Sequence, residues 1–437
     1  MDSGASLDIA VVGGGIAGLA AALYLQQSGH RITIFERSPL FKEAGFAVSI
    51  APNGTKVLTA LGIQLQSHHP CYQLNKMLAE FDYARAKAVD CHKIDVNCGI
   101  TLKPIVDIPL ESHLKRWGDR WVVLYRPDLH KELVRLASTE ATSGPQITIR
   151  LGATVVKTEI NTGTLFFENG TSFTADLIVG ADGENSVVKE DKGVVRTRTH
   201  QSSLRVQSES VNQSLRPRCS CEMKLLALSS SQESTMSQLL RMEKDGQLQD
   251  LEAGYPVAQR HEHGPEESRR ILLDQYKGFH PIIRRALGIV ESSSDWDMNF
   301  TTTPLCWTAG KAVLIGDAVH SMFPTTGQGA CQCLEDAAAL GILLSRLSSP
   351  SDLSRRLELF QELRSNRVVE IHALLLVLLG REAQLGEHIR GVLPEGRVLG
   401  GPLDHLDITN GYDIFSESHQ VLLSCLESKE GVQRASL

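Results

Sequence analysis

The chain lacks any apolar stretch long enough to cross a bilayer. The run Ala373–Leu379 is far short of the roughly 20 apolar residues a helical span needs. No secretory leader is expected either, since Met1–Ser6 is short and polar and runs straight into a strand pattern. Nine cysteines in 437 residues do not make a dense disulfide framework. The two Cys-x-Cys pairs, Cys219/Cys221 and Cys331/Cys333, are missing the second half of a zinc site, so no metal is expected. Cys331 and Cys333 fall inside a helical pattern, where small thiols are buried. There is no basic excess either. The formal net charge is -7, which argues against nucleic acid as the main partner. Arg269-Arg270 and Arg284-Arg285 are local and read as solvated helix faces. No internal repeat is visible. These absences leave a cytoplasmic, reducing setting as the expectation, and they set no oligomeric state.

What is present is an ordinary globular composition, 42% hydrophobic and 22% charged, in a chain long enough for two closely joined domains. Leu7–Val12 reads as a buried strand, followed by Gly13-Gly14-Gly15-Ile16-Ala17-Gly18. Leu19–Gln27 is Ala/Leu-rich and helix-forming, Gly29 is placed to end it, and Arg31–Phe35 is a second strand with Glu36 at its end. Each glycine has a physical task. Gly13 permits the tight turn, Gly15 lets backbone N–H groups approach a pyrophosphate, and Gly18 lets helix and strand pack closely. The phosphates then sit on the positive end of the helix, and Glu36 can accept from a ribose diol. This is a dinucleotide site, open at this point to NAD or FAD.

Two later motifs narrow the choice. A hairpin, Thr164–Glu168 and Thr171–Asp176 around Asn169-Gly170, precedes the strand Leu177–Val179, which ends in Gly180-Ala181-Asp182-Gly183 and then Ser186. Much later, the strand Ala312–Ile315 leads to Gly316-Asp317-Ala318-Val319-His320 and the loop Pro324–Gly329. Ala330–Arg346 then reads as a helix with Leu334, Ala337, Ala338, Gly341 and Leu344 on a packing face. A Gly-x-Gly ahead of that helix opens its N-terminal N–H groups to a ligand. A reduced, anionic flavin needs such partial positive charge at its pyrimidine end. An NAD dehydrogenase has no use for a second nucleotide motif so far down the chain.

With these three motifs in this order, the chain resembles the class A FAD-dependent aromatic monooxygenases, the para-hydroxybenzoate and salicylate hydroxylase group that includes fungal tailoring enzymes of secondary metabolism. The resemblance covers roughly residues 7–187 and 260–380. It implies an α/β fold: a Rossmann-type FAD-binding domain, an interleaved β-sheet substrate domain and a C-terminal helical segment. It implies FAD as resident cofactor and NAD(P)H, either NADPH or NADH, as a transient co-substrate. It also implies O2 and a small aromatic or polyketide-like substrate as partners, with one oxygen atom delivered through a C4a-hydroperoxide of the reduced flavin. Carried over by position, Glu36 holds the adenosine ribose with Arg37 beside it, and Gly45 and Ala47 run along the isoalloxazine. Arg126 contacts FAD, Asp182 stands near FAD and the incoming nicotinamide cofactor, and Asp317 takes the ribityl hydroxyls. Gly327, Gly329 and Ala330 line the pyrimidine edge. No side chain is named as catalytic. His320 reads as a packing or hydrogen-bonded histidine, because the sequence names no carboxylate partner for it.

The implied division is FAD-binding parts at 1–75, 121–188 and 301–385, the last including a long helix over Asp352–Arg381. Substrate-domain segments fall at 76–120 and 189–300, and a C-terminal loop and tail at 386–437. The stretch from Lys189 to Ala258 departs from the family. Lys189 stands where arginine is usual, and Ser, Gln and Arg dominate, as in Ser229–Ser234, with sparse strand signals. That composition predicts a partly irregular or disordered segment. It also keeps open a second reading, a FAD-binding protein with impaired or no turnover because its substrate sheet is defective.

Overall fold

The computed structural model describes residues 5–41, 47–61, 63–64, 75–76, 80–139, 145–190, 201–207, 223–229, 236–244, 247–254, 265–288, 292–298, 306–322, 327–378 and 402–435. Asp8–Val12 is an inner strand of a six-stranded sheet. Across that sheet the strands run 148–151, 31–36, 8–12, 177–180, 312–314 and 308–309. The first five are parallel, and only Thr308–Ala309 pairs antiparallel at the edge. Ile9–Val11, Leu177–Val179 and Ala312–Leu314 are buried throughout, which is why they read as unbroken apolar runs rather than alternating ones. The helix Ile16–Gln27 is buried from Ile16 to Gln26 and packs on the equally buried helix Gln328–Leu344.

Strand ends at one edge of this sheet carry the three motifs. Gly13 follows Val12, Ala181 follows Gly180, and Gly316 lies just beyond Leu314. Pairing of Val12 with Gly180, and of Gly180 with Leu314, therefore brings segments some 300 residues apart to one line. Ligands of open parallel sheets bind at such carboxyl ends. The hairpin expected around Asn169-Gly170 is formed by Thr164–Phe167 and Ser172–Thr174. A small sheet joins Ala47–Ile50 to Val122–Tyr125 and Val89–Asp90.

The expectation of a defective substrate sheet is corrected. Gln201–Gln207, Met223–Ser229, Met236–Lys244 and Gln247–Gly254 are four strands of a seven-stranded sheet, completed by Lys93–Asn97, Pro104–Pro109 and Ser292–Met298. Backbone pairing runs across the sheet without a gap, from Gln201↔Met298 to Met223↔Ile94. Composition misled here because ladder hydrogen bonds come from the backbone, and polar side chains do not prevent them.

The expectation of a C-terminal loop and tail is also corrected. Pro402–Asn410 and Ile414–Ala435 are helices, and Ile414, Phe415 and Leu422 bury into the core. Their apolar residues recur at helical spacing, which the reading of a polar tail from Ser428 overlooked. The loop expected at 391–402 lies outside the described residues up to 401. The long helix runs Leu353–Leu378. No helix among the described residues is long and apolar enough to cross a membrane.

Candidate cofactor site

Gly13 has φ +104°, and a Cβ there would collide with the carbonyl oxygen of Ala181. The first and second motifs are therefore in backbone contact, reinforced by Ala181 N–H donating to Val12 O at 2.9 Å. At Gly18 a Cβ would strike Gly13 O, so the helix sits directly on the loop. Gly15 is different: nothing lies within 4 Å of where its Cβ would be. It is the N-cap of Ile16–Gln27, with no side-chain cap and no acidic residue in the first turn. The N–H groups at this end are left to a ligand.

Glu36 ends the second strand, as its motif requires. Its Oε2 accepts from Gly14 N at 2.7 Å and its Oε1 from Ser38 N at 2.8 Å, while Arg37 is exposed beside it. Asp182 Oδ2 accepts from Val187 N at 2.7 Å and caps the short helix Val187–Glu190. Its other oxygen, Oδ1, is buried with no hydrogen-bond partner. Burial pushes this carboxyl above the usual range, opposed by the hydrogen bonds it accepts from Ser186, Val187 and Val188.

Around the third motif, pairing places Ala47 opposite Tyr125, and Arg126 then opens the helix Arg126–Ser138. Arg126 feels the charge of Asp317. Asp317 is solvent-accessible yet closely surrounded by protein atoms. That crowding raises its carboxyl pKa; His320 and Arg126 pull it down, and Asp336 adds to the rise. Gly327, at φ +64°, is the N-cap of Gln328–Leu344, and a Cβ on it would press on Ser49 Cβ at 3.3 Å. Again no side chain caps the helix and no acid lies in its first turn. Gly329 is open except for Met322 at 3.8 Å, and Ala330 is half-buried. The structure thus sets Ala47 beside the start of the Arg126 helix, Arg126 within electrostatic reach of Asp317, and Gly327 against Ser49 of the strand that carries Ala47; Gly45 lies outside the described residues.

Sequence reasoning missed two residues here. His130, buried one turn into the helix that Arg126 opens, holds Gly14 O through Nε2 at 2.7 Å. Asp336 is the carboxylate partner that could not be named for His320. Its Oδ2 lies 2.6 Å from His320 Nε2, with both groups buried. The available signal was the adjacent pair Glu335-Asp336 in an otherwise apolar helix, since buried charges are found only where partners wait. Cys331 and Cys333 are buried thiols, and burial raises both, Cys331 to about 12.

A model of the FAD binding domain family matches residues 6–372. The chain belongs to the class A FAD-dependent monooxygenases. Hispidin-3-hydroxylase of Neonothopanus nambi is 27% identical over 97% of this chain and 98% of that protein. 3-Hydroxybenzoate 6-hydroxylase of Klebsiella oxytoca is 25% identical over 83% and 85% of the two chains. Among solved structures, Klebsiella pneumoniae HpxO complexed with FAD and uric acid aligns with a TM-score of 0.67 at 20% identity, covering 96% of this chain and 97% of that one. The fold is therefore that of the FAD monooxygenases. The residues present are compatible with FAD: open space lies beside Gly15 at an uncapped helix N-terminus, and Asp182 Oδ1 is a buried acceptor without a protein partner.

Proposed function

We propose that this monooxygenase consumes NAD(P)H and places one atom of O2 on a small aromatic or polyketide-like molecule. The observation that carries the reading is the pair of uncapped helix N-termini, one at Gly15 just past a strand of the parallel sheet and one at Gly327 against Ser49 of the small sheet. Each offers unpaired N–H groups and half a positive charge, one suited to a pyrophosphate and the other to the anionic pyrimidine of a reduced flavin.

In this reading Gly13, Gly15 and Gly18 shape the phosphate loop, and Glu36 receives the adenosine ribose with Arg37 alongside. Gly45 and Ala47 flank the ring system, Arg126 and Asp182 touch the cofactor, and Asp317 accepts from ribityl hydroxyls. Gly327, Gly329 and Ala330 present N–H groups to the pyrimidine edge. Bound FAD supplies hydride acceptance and dioxygen activation. The protein's share is to orient the substrate and to exclude water. The seven-stranded sheet supports the assignment of 76–120 and 189–300 to the substrate side, with 1–75, 121–188 and 301–385 on the FAD side. It also weighs against a protein without turnover. The relative named hispidin-3-hydroxylase, matched along nearly its whole length, supports an oxygenated aromatic substrate. The free thiols of Cys91, Cys98, Cys306, Cys331, Cys333 and Cys425 suit a cytoplasmic setting.

The test is direct. Purified protein should be yellow or become so with FAD. Its NADPH or NADH oxidation should accelerate with an accepted phenol, and the product should gain one 18O atom from 18O2. Protein that never takes up FAD would sink the proposal. Flavin-loaded protein that no aromatic candidate stimulates would overturn the monooxygenase assignment while leaving the cofactor.

A further inference from the structure

Next to the Asp317 segment lies a chain of buried charge that the proposed reaction does not itself use. Arg364, on the long helix and fully buried, donates from Nε to Asp336 Oδ1 at 2.8 Å and from Nη1 to Glu335 Oε2 at 2.6 Å. Its Nη2 reaches Gln332 Oε1 at 2.7 Å. One planar guanidinium thus spans three acceptors on a single helix, a task that suits arginine and not lysine.

Each carboxylate it holds turns toward the cofactor site. Asp336 Oδ2 accepts from Gly316 N at 2.8 Å and meets His320 Nε2 at 2.6 Å. Gly316 and His320 bracket the short helix Asp317–His320, so Asp336 fixes both sides of Asp317. Glu335 Oε1 accepts from Asn53 Nδ2 at 2.6 Å, and the same Nδ2 donates to Gln328 Oε1 at 2.9 Å. Gln328 is the first residue of the helix whose N-terminus carries no side-chain cap. The chain also extends past the family match at residue 372. Arg367 contacts Glu335 at 3.4 Å and donates to Ile408 O and Thr409 O at 3.1 and 2.9 Å.

We propose that Arg364 is a positioning residue for the flavin site, setting the Asp317 loop and the first turn of Gln328–Leu344 relative to each other through Asp336 and Glu335. Desolvation would push both acids to their neutral forms; Arg367 and Arg364 hold Glu335, and His320 and Arg364 hold Asp336, below the usual carboxylate range. Ionised, they accept hydrogen bonds from every side, which locks the two elements in one arrangement. The inference rests on the FAD reading above.

The test compares Arg364→Lys with Arg356→Lys. Arg356 is equally buried on the same helix, but none of its guanidinium nitrogens has a hydrogen-bond partner, so it controls for general loosening. For Arg364→Lys, the FAD dissociation constant, read by flavin fluorescence, should rise on the order of 10-fold, as when an outer contact of a bound group is lost. At saturating FAD the visible spectrum and the flavin midpoint potential should differ from the wild type. Arg356→Lys should leave all three unchanged, whatever it does to thermal stability. Wild-type affinity and spectrum in Arg364→Lys would overturn the proposal. So would equal weakening in both variants with a wild-type spectrum. If Arg364→Lys does not fold, Asp336→Asn takes its place: altered affinity and spectrum support the proposal, and wild-type values overturn it. Wild-type protein that binds no FAD would refute the flavin reading itself, and this inference with it.

Discussion

His130 and Glu36 hold Gly14 from opposite ends: the imidazole Nε2 lies 2.7 Å from its carbonyl oxygen, and the carboxylate accepts from its N–H at 2.7 Å. A residue with no side chain of its own is thereby fixed on both sides of its α-carbon, in the middle of the phosphate loop. The contact to a carbonyl requires the proton on Nε2. Burial and the neighbouring Arg126 both depress the His130 pKa, opposed by the Gly14 contact and Glu36.

His130→Ala should therefore weaken FAD binding and also cost stability. Leaving Gly14 O without its partner costs about 1–3 kcal/mol. His130→Asn, which can still donate, should recover part of both. Flavin titration and chemical denaturation of the three proteins check this. An unchanged FAD affinity in His130→Ala would show that the loop keeps its shape without the imidazole.

Gly15→Ala and Gly18→Ala should separate binding from folding. Gly15 has φ −77° and open space beside it, so alanine fits the fold and its methyl group points where the cofactor would lie. The expected outcome is near-normal melting with impaired FAD uptake. At Gly18 the new methyl would collide with backbone at Gly13, and the helix must shift, at about 1–3 kcal/mol or more. Melting of the FAD-free proteins and flavin titration together give the contrast. Equal melting temperatures for the two variants would contradict it.

Stability should fall as pH drops below about 6.5, where an unfolded histidine gains its proton. His30, His130, His372 and His405 are all depressed by burial, His372 to about 3. A histidine with a depressed folded pKa is neutral in both states above 6.5. Below it, the unfolded chain binds the proton and the folded chain does not. For His372 the loss at pH 5.5 is about 1.4 kcal/mol. Asp182 and Asp317, raised by crowding, act in the opposite sense, so the comparison with His372→Leu is what isolates the histidine. Urea midpoints at pH 7.5 and 5.5 should show the drop, and His372→Leu should flatten it. A profile for His372→Leu as steep as the wild type would refute the assignment.

Much of this was legible in the sequence because local chemistry dictates it. Leu7–Gly18 read as a strand, a glycine turn and a helix, and that is what forms, and the glycines before the helix pattern at 330 marked a second N-terminus without a side-chain cap. What escaped was non-local. Asp336 lies 16 residues from His320 and Arg364 lies 28 from Asp336, and no periodicity relates them. The strands between 201 and 254 escaped for another reason. Their pairing is a property of the backbone, so composition could not report it. The helices after 402 were hidden because their apolar residues, Ile414, Phe415 and Leu422, are spaced among many polar ones.

The parallel sheet has a consequence in time. Leu177–Gly180 pairs on one side with Asp8–Val12, but its other neighbour, Ala312–Leu314, is made more than 130 residues later. During synthesis that apolar strand carries an open edge while five of the seven strands of the interleaved sheet are being added. Edges of this kind recruit stray strands, and such distant pairings form slowly. A ribosome-bound fragment ending near residue 200 therefore holds the phosphate loop without the strand that closes its sheet. The three motif segments come together only after that last strand has been added.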